Sequence, residues 1–81
     1  GPKPVLAEGD APVFEAMRAL RRELAAEAGV PPYHIFPDRT LIALAEARPA
    51  TLEQMAEIHG VGRMKLANFG EAFLQVIRTH R

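Results

Sequence analysis

Three groups of residues in this 81-residue chain have types and spacings that could do chemistry. At 100° per residue, Arg18, Arg21 and Arg22 fall on one flank of a helix, while Glu23 and Glu27 fall on the opposite flank. Glu15 stands three residues before Arg18, at ion-pair spacing. The Arg flank is either a solvated helix surface or a patch for phosphates. The second reading gains from Arg outnumbering Lys eight to two, because a guanidinium binds phosphate bidentately and stacks on bases. The second group is Pro31-Pro32-Tyr33-His34-Ile35-Phe36, an aromatic ring on a proline-stiffened loop. Such a ring is held out at little entropic cost, and stacking an unpaired base on it is worth about 1–3 kcal/mol. The alternative is a Tyr33 that packs across the helix ends. Ile35 and Phe36 read as core. The third group, Ile58-His59-Gly60-Val61-Gly62-Arg63-Met64-Lys65, sets two glycines around one apolar residue between two helices. Its backbone could approach a phosphate, with helix N–H groups pointing outward and Arg63 and Lys65 adding charge. The favoured reading is a compact connector with Val61 plugging the core.

Other chemistry lacks its residues. There is no Cys and no Ser, which excludes disulfides, thiolate catalysis and Cys-based zinc sites. Thr40, Thr51, Thr79 and Tyr33 are the only hydroxyls, and Thr51 is better explained as a helix cap. His34, His59 and His80 are too scattered to imply a metal site. The carboxylates lie mostly on helix surfaces, and nothing pairs two of them for acid–base work. There is no GxxxxGK[ST] phosphate loop. The expectation is a non-enzymatic domain that holds no metal or cofactor. Ten basic and ten acidic residues give zero formal net charge. A strongly basic whole-domain clamp on nucleic acid is thereby ruled out, and any such binding must come from charge segregated to one face.

The elements that position these groups are helical. Residues 1–12 hold three prolines, Gly9 and the acids Glu8 and Asp10, and read as an extended lead-in. The chain begins Gly1-Pro2 without Met, which reads as a protease scar on a fragment of a longer protein. Val13, Met17, Leu20, Leu24 and Ala28 recur at helical steps and predict an amphipathic helix over 12–28. Pro31, Pro32 and Pro37 make 30–37 a loop. Asp38 is expected to cap a second helix, 39–47, which Pro49 ends. Thr51 with Gln54 forms a capping box that opens a third helix to His59. A last helix spans 63–80, with Leu66, Phe69, Phe73, Val76, Ile77 and His80 inward. Gly70 within it implies a close packing contact or a break. No strand signal competes, and no apolar run approaches the ~18 residues of a membrane span. The sequence therefore predicts an all-α domain over 13–81, a compact bundle of four to five helices.

The order of these pieces resembles the HRDC domain, the helicase-and-RNase-D C-terminal module, and looks most similar to that of bacterial RecQ-type DNA helicases. The resemblance is carried by Leu20-Arg21-Arg22-Glu23-Leu24-Ala25, Gly29-Val30-Pro31-Pro32-Tyr33-His34-Ile35-Phe36, Asp38-Arg39-Thr40-Leu41, Pro49-Ala50-Thr51 and Ile58-His59-Gly60-Val61-Gly62, with Lys65 and Phe69-Gly70. It covers residues 13–80. It implies a monomeric helical bundle with a helix-hairpin-helix-like turn and an accessory role, with ATP, Mg and unwinding confined to the parent helicase core. It implies binding of single-stranded or branched DNA, in recombination and repair, in the cytoplasm at the bacterial nucleoid. Tyr33 matches the loop aromatic that takes part, and Arg18, Arg21 and Arg22 match the basic residues near the first helix. Arg63 and Lys65 join them as candidate contacts. The chain departs from that pattern in the acids Glu8, Asp10 and Glu15 near the first helix. With Glu23 and Glu27 these suggest the alternative of a regulatory module docking on a basic face of the same helicase. A third reading is RNA binding in an RNase-D-like exonuclease.

Overall fold

Each helix begins and ends where local chemistry dictates. The computed structural model describes residues 6–80. After a short 3-10 turn at Glu8–Asp10, four α-helices follow in the order α1 (Ala11–Ala28), α2 (Asp38–Ala47), α3 (Leu52–Ala56) and α4 (Gly62–Thr79). A second 3-10 turn, Pro32–His34, lies in the loop between α1 and α2. No strand occurs among the described residues, so the expected all-α bundle is what forms. Residues 1–5 of the lead-in lie outside the described residues. The part that is described is not extended: residues 8–10 coil into the 3-10 turn, and Asp10 is drawn to Arg48 at 3.2 Å. Arg48 also donates to the Gly9 carbonyl at 3.0 Å, so the end of α2 holds the start of α1 in place.

Two other sequence expectations are corrected at helix ends. Asp38 does not cap α2 with its side chain; it is the first residue of that helix, after Pro37. Its carboxylate is taken by Arg21 of α1 at 2.8 Å, which outcompetes a cap bond. The third helix stops at Ala56 rather than at His59. Beyond it the chain tightens into i→i+3 bonds, Ile58 N–H to Met55 and Val61 N–H to Ile58, and turns at Gly60. Thr51 does cap α3, accepting from the Gln54 N–H at 3.1 Å. The Gln54 amide oxygen in return accepts from the Ala50 N–H at 2.7 Å.

The core gathers one stripe from each helix around the loop residue Phe36. Val13 and Met17 of α1, Leu41 and Leu44 of α2, Met55 of α3, and Phe73, Leu74 and Ile77 of α4 are buried, with Ile35, Phe36 and Val61 between them. Phe36 meets Phe73 edge-on at 5.0 Å between centroids and Phe69 at 6.4 Å, an arrangement that favours aromatic pairs. Gly70 is buried in an unbroken α4. A side chain there would come within 3.0 Å of Leu66 and 3.1 Å of Leu52, so its smallness is what lets α3 lie against α4. His80 does not share the inner face. It is exposed at the end of α4, its Nδ1 bonded to the Val76 carbonyl, and Leu74 occupies the core in its stead.

Candidate nucleic-acid interface

The prolines of the first loop set its geometry. Pro31 is extended, and Pro32 opens the 3-10 turn that closes with the His34 and Ile35 N–H groups bonding to the carbonyls of Pro31 and Pro32. Ile35 and Phe36 then dive into the core, which anchors the turn from below. Tyr33 is left on the outside, 64% exposed, its ring edge-on to His34 at 4.7 Å. The alternative of a Tyr33 buried across the helix ends is therefore not what forms.

The turn is braced from across the molecule. The Lys65 ammonium of α4 donates to the His34 carbonyl and lies over the Phe69 ring, 5.9 Å from its centroid. Between the turn and the first half of α4 lies a pocket of about 440 Å³. It is lined by Ala28 and Val30 on one side, Tyr33, His34 and Ile35 on another, and Met64, Lys65, Asn68 and Phe69 of α4. Met64, 69% exposed, is with Tyr33 one of two large apolar residues left in solvent among the described residues, and both line this pocket. Asn68 escaped the sequence reading, which took Met64 only as part of the glycine turn. Their four-residue spacing on the outer side of α4 is the one signal that could have joined them.

The basic residues divide. Arg21 is not part of an exposed patch, which corrects the expectation drawn from the helix flank. It is 9% exposed, donates to the Phe36 carbonyl at 2.9 Å and pairs with Asp38, so its guanidinium is spent tying α1 to the loop and to α2. Arg18 is exposed and pairs with Glu15 at 3.2 Å, an exposed i,i+3 contact worth about 0–1 kcal/mol that a phosphate could displace. Arg22 and Arg63 are exposed and make no ion pair among the described residues, and the same holds for Arg39, which the sequence reading passed over. No residue of the α1 Arg flank lines the pocket; Arg63 sits one position before Met64 in the first turn of α4. Lys65 retains two of its three donors after bracing the turn. Val61 is fully buried and plugs the core as the connector reading holds, with Gly60 and Gly62 on either side at φ 96° and 65°.

The acidic residues divide too. Asp10 and Glu15 are held by Arg48 and Arg18, while Glu8, Glu23 and Glu27 are exposed. No group of three or more His, Cys, Asp or Glu side chains among the described residues could hold a metal ion, and no helix is long and apolar enough to cross a membrane.

Comparison with known proteins points one way. The family model for the HRDC domain matches residues 10–77. The ATP-dependent DNA helicase RecQ of Bacillus subtilis is 41% identical over 68 residues, covering 84% of this chain and 12% of that protein. The ATP-dependent DNA helicase UvrD2 of Mycobacterium tuberculosis is 36% identical over 72 residues, covering 89% of this chain and 10% of that protein. The chain thus spans about a tenth of the length of the curated relatives it matches. Among solved structures, the third HRDC domain of Deinococcus radiodurans RecQ superimposes with a TM-score of 0.84 at 41% identity, covering 86% of this chain and 92% of that one. With the fold, the braced aromatic turn and the matched sequence in agreement, the chain belongs to the HRDC domain family and is similar to the HRDC domains of RecQ-type helicases.

Proposed function

We propose that this chain is a non-catalytic, DNA-binding accessory domain of a RecQ-like helicase, which binds single-stranded or branched DNA weakly and directs the helicase to structures formed in recombination and repair. The observation that carries this reading is Tyr33, exposed on a turn that two prolines stiffen and Lys65 holds fast. A ring so placed offers a stacking face without a large ordering cost on binding. The unpaired cations Arg22, Arg39 and Arg63, with Arg18 and Lys65, supply phosphate contacts. Both relatives described above are DNA helicases, which favours a helicase parent over an RNase-D-like one. ATP and Mg act in that parent's core, in the cytoplasm at the nucleoid, and this domain uses no cofactor of its own. Docking on another domain of the helicase has weaker support, because Asp10, one of the candidate acids, is already held by Arg48 in a partly buried pair.

Fluorescence anisotropy with a labelled single strand at low salt tests the reading; a chain that binds none there refutes it. Tyr33→Ala is expected to weaken binding by about 1–3 kcal/mol and to leave both the melting temperature and the salt slope unchanged, since the ring supports no core contact and holds no phosphate. A fall in melting temperature alongside the affinity would assign Tyr33 to the fold instead. Arg22→Ala is expected to act differently: a smaller loss, with a salt slope shallower by about one ion. An unchanged slope would remove Arg22 from the interface.

A further inference from the structure

The chain holds three methionines and neither Cys nor Trp, so its thioethers are the side chains most open to two-electron oxidation. The fold treats the three unequally. Met17 and Met55 are fully buried in the core, while Met64 is 69% exposed in the first turn of α4. A hydroperoxide reaches Met64 from solvent without any movement of the fold, whereas Met17 and Met55 react only when the bundle opens. Met64 also stands where oxidation has a consequence. It lines the pocket together with Tyr33, His34, Lys65 and Asn68, and Arg63 and Lys65 flank it in the chain. Its thioether is soft and polarisable, and sulfur beside an aromatic ring is a favourable contact. Met64 lies outside the buried cluster, so a change at its sulfur leaves the bundle intact.

We infer that Met64 is an oxidation site through which a hydroperoxide weakens DNA binding, and that reduction of the sulfoxide restores it. The effect on binding rests on the DNA-binding reading above; the site of oxidation does not. In the step, a lone pair of the Met64 sulfur attacks one oxygen of the hydroperoxide. The S–O bond forms as the O–O bond breaks, and the other oxygen leaves as water or an alcohol, carrying the proton of the transferred one. The thioether loses two electrons and the peroxide gains them, so no further reagent enters. The product puts a polar group where the pocket had an apolar wall. A base stacked on Tyr33 loses the soft contact beside it, and the sulfoxide oxygen must give up water to admit the base. That oxygen is also a new acceptor in a pocket that Lys65 and Asn68 line, so it competes with a strand phosphate for their N–H groups.

The test treats the whole folded chain with hydrogen peroxide, locates the added oxygen by peptide mass spectrometry, and reads affinity for a labelled dT strand before and after. Met64 is expected to gain one oxygen about tenfold faster, or more, than Met17 and Met55. Affinity is expected to fall about fivefold, within what loss of a sulfur–aromatic contact costs, with the melting temperature unchanged. The two methionine sulfoxide reductases, one for each sulfoxide epimer, are expected to return it. Met64→Leu, whatever its starting affinity, is expected to bind equally before and after peroxide. Oxidation of all three methionines at one rate in the folded chain overturns the site. Oxidised Met64 with affinity unchanged, or a Met64→Leu chain that peroxide weakens as it does wild type, overturns the effect on binding and leaves DNA binding standing. A melting temperature that falls with the affinity assigns the loss to unfolding and overturns that effect as well. An untreated chain that binds no strand overturns the DNA-binding reading and the effect on binding with it, while the mass spectra alone decide the oxidation site.

Discussion

Gly60→Ala is expected to lower the midpoint of thermal unfolding by about 15 °C or more, which corresponds to roughly 3 kcal/mol or more in a domain of this size. Two costs combine. Gly60 has φ 96°, where a side chain is strained, at about 1–3 kcal/mol. A methyl there would also stand 2.3 Å from the Thr40 hydroxyl oxygen, and Thr40 is 3% exposed at the start of α2 with little room to retreat. Such overpacking adds about 1–3 kcal/mol. Gly62→Ala separates the two terms. Gly62 also has a positive φ, 65°, but open space where its side chain would go, so only the backbone cost remains. Thr40→Ala combined with Gly60→Ala is expected to recover part of the loss, a coupling that a double-mutant cycle reads directly. If Gly60→Ala and Gly62→Ala melt together, the Thr40 contact is without consequence.

Arg21→Ala is expected to destabilise by about 2–4 kcal/mol, and calorimetry or denaturant melts measure it. The loss has little to do with the visible ion pair. Asp38 is 71% exposed, so solvent screens its attraction to Arg21 and the pair itself is worth about 0–1 kcal/mol. The larger part is the carbonyl of Phe36, a fully buried residue, which loses its charged donor at a cost of about 1–3 kcal/mol. The buried stem of the arginine adds to it. Asp38→Asn is accordingly expected to cost under about 1 kcal/mol. On a total stability of roughly 4–12 kcal/mol, the Arg21 variant is partly unfolded at warm temperatures. Its DNA affinity is expected to fall with the folded fraction and to return on cooling, whereas Arg22→Ala stays folded and changes the salt slope. An Arg21→Ala chain as stable as the parent would return Arg21 to the exposed patch.

Arg21 also marks where sequence reading ends. Val13, Met17, Arg21 and Ala25 form a four-residue row, all buried, so the arginine sits squarely in a core row. A helical wheel alone reads a guanidinium there as a surface charge beside the stripe, because its acceptor lies 15 residues away on a loop whose path only the folded chain defines. Asp38 was legible as a helix start for the same local reason and illegible as the partner of Arg21. The helices themselves were legible because each turns one apolar stripe toward a single core. The same holds for Ile35, Phe36 and Val61, apolar residues bounded by prolines or glycines with no polar role to compete. Tyr33 could be singled out because the prolines beside it act locally. Met64 and Asn68 could not, since the wall that makes them a pocket with Tyr33 comes from a turn some thirty residues earlier in the chain. The short third helix was overextended because propensity does not register the i→i+3 bonds that Gly60 permits.

The placement of the pocket walls bears on how the domain can change over generations. Tyr33, Met64 and Asn68 lie outside the buried cluster that holds the bundle together, and the bracing bond beside them runs to a backbone carbonyl that every residue type possesses. The exposed part of the pocket wall therefore stands apart from the positions that fold the bundle, while Ile35, Val30 and Phe69 serve both. If the proposed DNA-binding face lies here, exchanging the three exposed wall residues is expected to change that face at almost no cost in stability, so neutral drift can carry duplicated copies of this bundle to different ligands through sequences that all remain folded.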